Sequence, residues 1–191
     1  MKTRLSRNVI FAAAMAVSCT AIFGSVQSSA HKENGWYRII DGAKDSISPY
    51  PIVTVKEFTG LRLEKDFFGR SVITGCISKH KLSAWADSTE RSIGKRIGFL
   101  FNDTVLTAPR VNMRLESGTF QICTQNDNDT EALYRRLIKE KKDSLDALFS
   151  GNGWNKDTTY LKSLDRKEID SIIISMDYID ACAIIKGFNK D

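Results

Sequence analysis

The run Arg96-Ile97-Gly98-Phe99-Leu100-Phe101 is almost wholly apolar, and Asn102-Asp103, followed by Thr104, separates it from Val105-Leu106-Thr107-Ala108. A short apolar run with little alternation reads as a centrally buried strand. Asn and Asp tolerate the positive φ that a tight two-residue hairpin turn requires. Pro109 then removes a backbone donor and ends the pairing. A chain built around such a hairpin has an antiparallel sheet, which sets aside a doubly wound parallel fold.

The rest of the chain supplies partners for that hairpin. Trp36-Tyr37-Arg38-Ile39-Ile40 is rich in β-formers and stops at the Asp41-Gly42 turn signal. Pro49 and Pro51 fix an extended connection, Val53 and Val55 suggest a short strand, and Phe67-Phe68-Gly69-Arg70 turns into a strand over Ser71 to Ile77. Leu82, Trp85, Ala86, Thr89 and Ile93 recur at helical spacing, with Ser78 placed to cap the start and Gly94 to end it. Thr119 to Thr124 reads as another strand. A polar stretch over 125–129 then caps a long helix running to about Phe149. Leu133, Leu137, Ile138, Leu145 and Leu148 line one face of it, and charged pairs such as Lys139/Asp143 occupy the rest. Beyond the break at Ser150-Gly151-Asn152-Gly153, the sequence predicts a short helix from Leu164 and a closing strand over Ala181 to Ile185. The expected fold class is α+β: a mostly antiparallel sheet with two main helices packed on it.

The first thirty residues have the layout of a cleaved secretory leader: basic Lys2, Arg4 and Arg7, an apolar run from Val9 to Gly24, and a small-residue end at Ala30. The apolar run, interrupted by Ser18 and Thr20, falls short of the roughly 20 residues a spanning helix needs. The expectation is a leader over 1–30 and a single domain over 31–191, exported to the periplasm or the medium, with no membrane span in the mature chain. Cys19 leaves open a lipoprotein leader that would anchor the chain, although the apolar Ala21-Ile22-Phe23 argues against it. The leader takes three of the 28 basic residues and none of the 23 acidic ones, so the remainder carries about +2 rather than +5. That excludes a strong nucleic-acid footprint. Cys76, Cys123 and Cys182 remain, an odd number in a compartment that permits disulfides, and their pairing is not readable from spacing.

From the first helix onward a family pattern becomes legible: Gly94-Lys95-Arg96, an apolar strand, a tight turn, Val105-Leu106-Thr107-Ala108-Pro109-Arg110-Val111, then Gly118 and Gln121-Ile122. This order resembles the head subdomain of the first periplasmic domain of SecD, a protein-translocase subunit. The resemblance runs from Asp87 to Thr124 and more loosely over 51–125. Asn102-Asp103 stands where that family has Asp-Gly, Thr107 replaces the serine of its Ser-Ala-Pro, and Ser117 replaces one glycine of a Gly-Gly pair. The multi-span membrane part of SecD and its intramembrane acidic chemistry have no counterpart in these 191 residues. What the resemblance implies is the fold and a periplasmic habit of touching other polypeptides.

The expected function is therefore an exported, non-enzymatic binding module whose partner is an envelope or exported polypeptide. Its hairpin edge would carry the contact through Val105 and Thr107, with Arg110 and Arg114 as polar donors. A competing reading from another class is a thiol enzyme using Cys76 and His80 in Cys-x-x-x-His spacing. Neither a metal nor a cofactor is expected. The chain has only His31 and His80 as imidazole ligands and no Cys-x-x-Cys pair. Asp127, Asp129 and Glu131 lack the glycine and terminal glutamate of a calcium loop and read as helix-capping residues. Among the aromatic residues, Trp85 reads as a core anchor, whereas Trp36, Tyr37 and Trp154 could line a groove.

Overall fold

The computed structural model describes residues 31–40, 46–151 and 166–188. The leader with Cys19, the Asp41-Gly42 turn, Trp154 and the start of the helix expected from Leu164 lie outside the described residues. Among the described residues the strands are, in chain order, β1 Gly35–Ile40, β2 Ser46–Ile47, β3 Val53–Thr54, β4 Phe58–Lys65, β5 Ser71–Ile77, β6 Ile97–Phe101, β7 Thr104–Thr107 and β8 Thr119–Ile122. The helices are α1 Leu82–Arg91, α2 Asp127–Gly151, α3 Arg166–Ser175 and α4 Tyr178–Phe188.

The strands divide into two antiparallel sheets. One has the order β2-β1-β6-β7, with β3 also on β1, and the other the order β4-β5-β8. The α+β class with antiparallel pairing is therefore as the sequence implies. The hairpin is also as expected: Asn102 and Asp103 have φ of 48° and 59°, and Leu100 pairs with Val105 and Phe101 with Thr104. All five residues of β6 are buried, as its apolar composition requires.

One core unites both sheets with α1 and α2. Trp36 from β1, Phe99 from β6, Phe58 from β4, Ile73 from β5, Ile122 from β8, Trp85 from α1 and Leu137 from α2 all belong to it. Trp36 and Trp85 meet edge to face with centroids 5.9 Å apart, and Phe58 and Phe120 approach to 4.4 Å. Burial of these rings dominates the energetics, each worth roughly 1.5 to 3 kcal/mol relative to exposure. Trp36 and Tyr37, open candidates for a ligand groove, are buried residues here, as Trp85 is.

Three expectations need correction. The sequence reading has no strand over 58–65, yet β4 is eight residues long; a bulge between Thr59 and Arg62, with Gly60 at φ 59°, breaks the alternation that would have marked it. The run Ala181 to Ile185 belongs to helix α4, not to a strand, because an apolar run this short fits either state and packing decides. Ser78 precedes a 3-10 turn over Lys79–Lys81 and donates no capping bond; its hydroxyl turns instead to Asp177. Lys141, which is outside the charged pairs expected on the open face of α2, is fully buried.

Candidate functional site

Among the described residues β7 pairs only with β6 and ends its sheet, so its outer edge there carries unpaired backbone groups. Val105 is 36% exposed, Thr104 is exposed, and Leu106 and Thr107 are half-buried. Beside this edge lies a groove of about 410 Å³, lined by Phe101 and Thr104 to Leu106 on one side and by Thr124, Gln125, Asp129, Ala132, Leu133 and Arg136 on the other. Phe101 and Leu133 are buried and supply an apolar floor, while Asp129 and Arg136 place one charge of each sign on the rim. A second depression shares Phe101 and Arg136 and continues along α2 past Lys139 and Asp143 to Ala147. The apolar floor belongs to the first groove; the second is lined mostly by charged and polar side chains, with Phe101 and Ala147 its apolar members.

The strand is held firmly at its turn. The Asp103 carboxylate accepts from the Lys32 backbone N–H at 3.0 Å and pairs with His31, contacts that hold its pKa below the usual carboxylate range, the Lys32 bond most of all. The Asn102 N–H donates to Asn34 Oδ1 at 2.7 Å, and Asn34 Nδ2 donates to Glu140 Oε2 at 2.7 Å. Burial pushes the Glu140 carboxyl up, opposed by the Asn34 bond. Residues 31–34 thus tie the turn to α2 and fix the opening between strand and helix.

The far wall is set by the start of α2. Asn126 Oδ1 accepts from the Asp129 N–H at 2.9 Å, an N-cap bond. Asp127 accepts from the Ser71 N–H at 2.8 Å and from Lys65 Nζ at 2.6 Å, which lowers its pKa through the Lys65 bond first. The Asn126 amide oxygen therefore caps the helix, and the Asp127 carboxylate tethers its first turn to β5 and Lys65.

Of the four residues expected to meet a partner, the structure brings Val105 and Thr107 onto the free edge. Arg110 is exposed just beyond it, opposite Arg96 in an isolated bridge. Arg114 is placed differently. Its guanidinium donates to Asp87 at 3.0 Å, Glu90 at 2.6 Å and Glu116 at 3.1 Å, which raises its pKa, the Asp87 bond first. It pins the segment after β7 to α1, a task shared by the Leu115 N–H bond to Thr89 Oγ1, and is not a donor waiting for a partner. The groove wall on α2 escaped the sequence reading: Leu133 stood out as core and Arg136 as surface, but only the sheet order sets them across from β7.

The thiol constellation is not assembled. Cys76 is exposed, not a core cysteine, because its strand position points away from the buried Gly75 and Ile77. His80 Nδ1 lies 2.6 Å from Ser78 Oγ and its Nε2 faces Glu57 Oε1 at 3.8 Å, so both ring nitrogens are directed elsewhere. Cys76, Cys123 and Cys182 are all free thiols. Among the described residues no group of three or more His, Cys, Asp or Glu side chains could hold a metal ion, and no helix is long and apolar enough to cross a membrane.

Against known proteins, the protein translocase subunit SecD of Acidaminococcus fermentans is 32% identical over 76 residues, which are 40% of this chain and 18% of that protein. Over that stretch the chain is similar to SecD. It spans less than a fifth of that SecD, 18% of its length. Two solved structures share a similar outline. One is SecDF, a membrane component that enhances protein export, with a TM-score of 0.48 and 19% identity over 54% of this chain and 60% of that one. The other is SecDF in a super-membrane-facing form, with a TM-score of 0.46 and 20% identity over 54% of this chain and 18% of that one. No protein-family model matches the chain.

Proposed function

We propose that this protein is an exported, non-enzymatic module that receives an extended segment of another polypeptide along the free edge of β7. A bound segment would add a strand to the sheet, satisfying the edge N–H and C=O groups of Thr104–Thr107. Alternate side chains of that segment would settle on Phe101, Leu106 and Leu133 in the groove. Backbone pairing gives affinity without sequence preference, which suits a module that handles exported chains, and the likeness to SecD supports a role near protein translocation. The single observation that carries this reading is the coincidence of an unpaired strand edge with an apolar-floored groove beside it. The arrangement of His80 disfavours the thiol-enzyme reading.

The test is binding of a fluorescently labelled, reduced and carboxymethylated polypeptide, read by anisotropy. Ala132→Arg, which fills the groove from the half-buried face of α2, is expected to weaken binding by about tenfold or more while leaving the circular dichroism spectrum unchanged. Equal binding by the folded variant and the wild type would remove this site from the proposal.

A further inference from the structure

The turn joining β4 to β5 holds the most exposed large apolar side chain among the described residues, Phe67 at 96%, beside Phe68 at 77%. Their rings meet edge to face with centroids 5.5 Å apart. This is not a slack loop. The Asp66 carboxylate accepts from the N–H groups of Phe68 and Arg70, each at 2.9 Å, and from the Arg70 guanidinium at 2.8 Å. The Asp66 N–H donates to the Arg70 carbonyl and the Gly69 N–H to the Asp66 carbonyl, both at 2.9 Å. The Arg70 guanidinium also lies 5.4 Å from the Phe68 ring centroid. A turn so closely bonded holds two phenylalanines outward at a cost in hydration that folding does not require.

The charges around the rings have a direction. In the Arg70–Asp66 pair the arginine side chain is 68% exposed and the aspartate 14%. In the Lys65–Asp127 pair the lysine is likewise the more exposed partner, and Asp127 is further occupied by the Ser71 N–H. In each pair the cation is the more exposed member, so the side of the pair nearest solvent beside Phe67 and Phe68 is the basic one, while both cations stay bonded to their carboxylates.

We propose that this hairpin tip is a membrane-surface contact, lowering Phe67 and Phe68 into the headgroup region of a phospholipid bilayer while Lys65 and Arg70 meet lipid phosphates. Two phenylalanines bury only about 300 to 500 Å², well under the roughly 1,000 Å² of a specific protein interface. A bilayer demands no complementary surface, only apolar area flanked by cations. The contact is weak and reversible, and it is independent of the β7 edge.

The test uses the protein purified in the form cells make it and vesicles of phosphatidylethanolamine and phosphatidylglycerol. Flotation should carry wild type with the vesicles, and Phe67→Ser with Phe68→Ser should lower the partition coefficient about tenfold or more. Both positions are exposed, so the double variant keeps its thermal midpoint. In Phe67→Trp, brominated acyl chains should quench the added emission. Equal partitioning of wild type and double variant, absence of flotation, or no bromine quenching would overturn the proposal; absence of flotation would leave a protein pocket as the occupant of the tip.

Discussion

Lys141 offers the sharpest test of the fold. Its ammonium sits in the core of the α2 packing surface and donates to the backbone carbonyls of Phe58, Met176 at 2.8 Å and Ile174 at 3.3 Å. It thereby joins the start of β4 to the end of α3. Burial lowers its pKa from the ordinary 10.5 to about 8, with the negative charge of Asp177 opposing the shift. Because the folded pKa lies below the unfolded one, the unfolded chain holds more protons between these values, and stability rises with pH through that window. The full difference corresponds to about 3 kcal/mol of charging cost carried by the folded state below about pH 8. Replacing Lys141 with methionine removes that cost but deprives three carbonyls of their donor, a loss of roughly 1 to 3 kcal/mol each when a buried group is orphaned. At about pH 7 the lost bonds, about 3 to 9 kcal/mol together, are set against the charging cost of about 3 kcal/mol, and Lys141→Met should be about 0 to 6 kcal/mol less stable than wild type. At about pH 9.5 wild type has shed most of the charging cost, and the gap should widen by about 2 kcal/mol. Urea unfolding followed by fluorescence of Trp36 and Trp85 measures both values. Comparing the two proteins at each pH cancels the opposite contribution of Tyr37 and Tyr134, whose hydroxyls burial pushes up. A gap that stays constant with pH would show that water reaches the ammonium, and would refute the packing of α3 against β4 described above.

Other substitutions follow from single contacts. Gly118 has φ 68° and an added Cβ would fall 2.2 Å from Leu82 Cδ2, so Gly118→Ala should destabilise by about 2 to 4 kcal/mol in the same assay. Ser78 is fully buried and its hydroxyl donates to Asp177; Ser78→Ala should cost about 1 to 3 kcal/mol and loosen the α4 end first, visible as faster amide exchange over 177–181. Of the thiols in the described residues, Cys76 and Cys123 should react promptly with Ellman's reagent in the native protein and the half-buried Cys182 more slowly; equal rates would contradict that placement.

Much of this fold is legible in the sequence because local chemistry and global packing agree there. The apolar β6, the Asn102-Asp103 turn and the Trp85, Ala86, Thr89 stripe of α1 each satisfy one demand that only one structure meets. Lys141 shows a signal present but overridden by residue type: it lies four residues from both Leu137 and Leu145, on the apolar stripe of α2, yet lysine reads as solvent-facing. β4 is hidden by its bulge, and the Ala181 to Ile185 run by its brevity. For the candidate site, Val105 and Thr107 could be found because turn and proline bracket their strand. The opposite wall could not, since which helix faces which strand depends on long-range pairing. The Arg114 clamp is hidden for the same reason: Asp87 and Glu90 lie 27 and 24 residues away from it.

The most direct measurement of the central claim is amide hydrogen exchange with and without an unfolded polypeptide, such as reduced and carboxymethylated lactalbumin. Strand addition predicts that amides within Thr104–Thr107 become protected in the complex, with smaller effects along residues 129–136 across the groove and none on the β4-β5-β8 sheet. Binding without protection in Thr104–Thr107, or protection centred on another strand edge, would contradict the account.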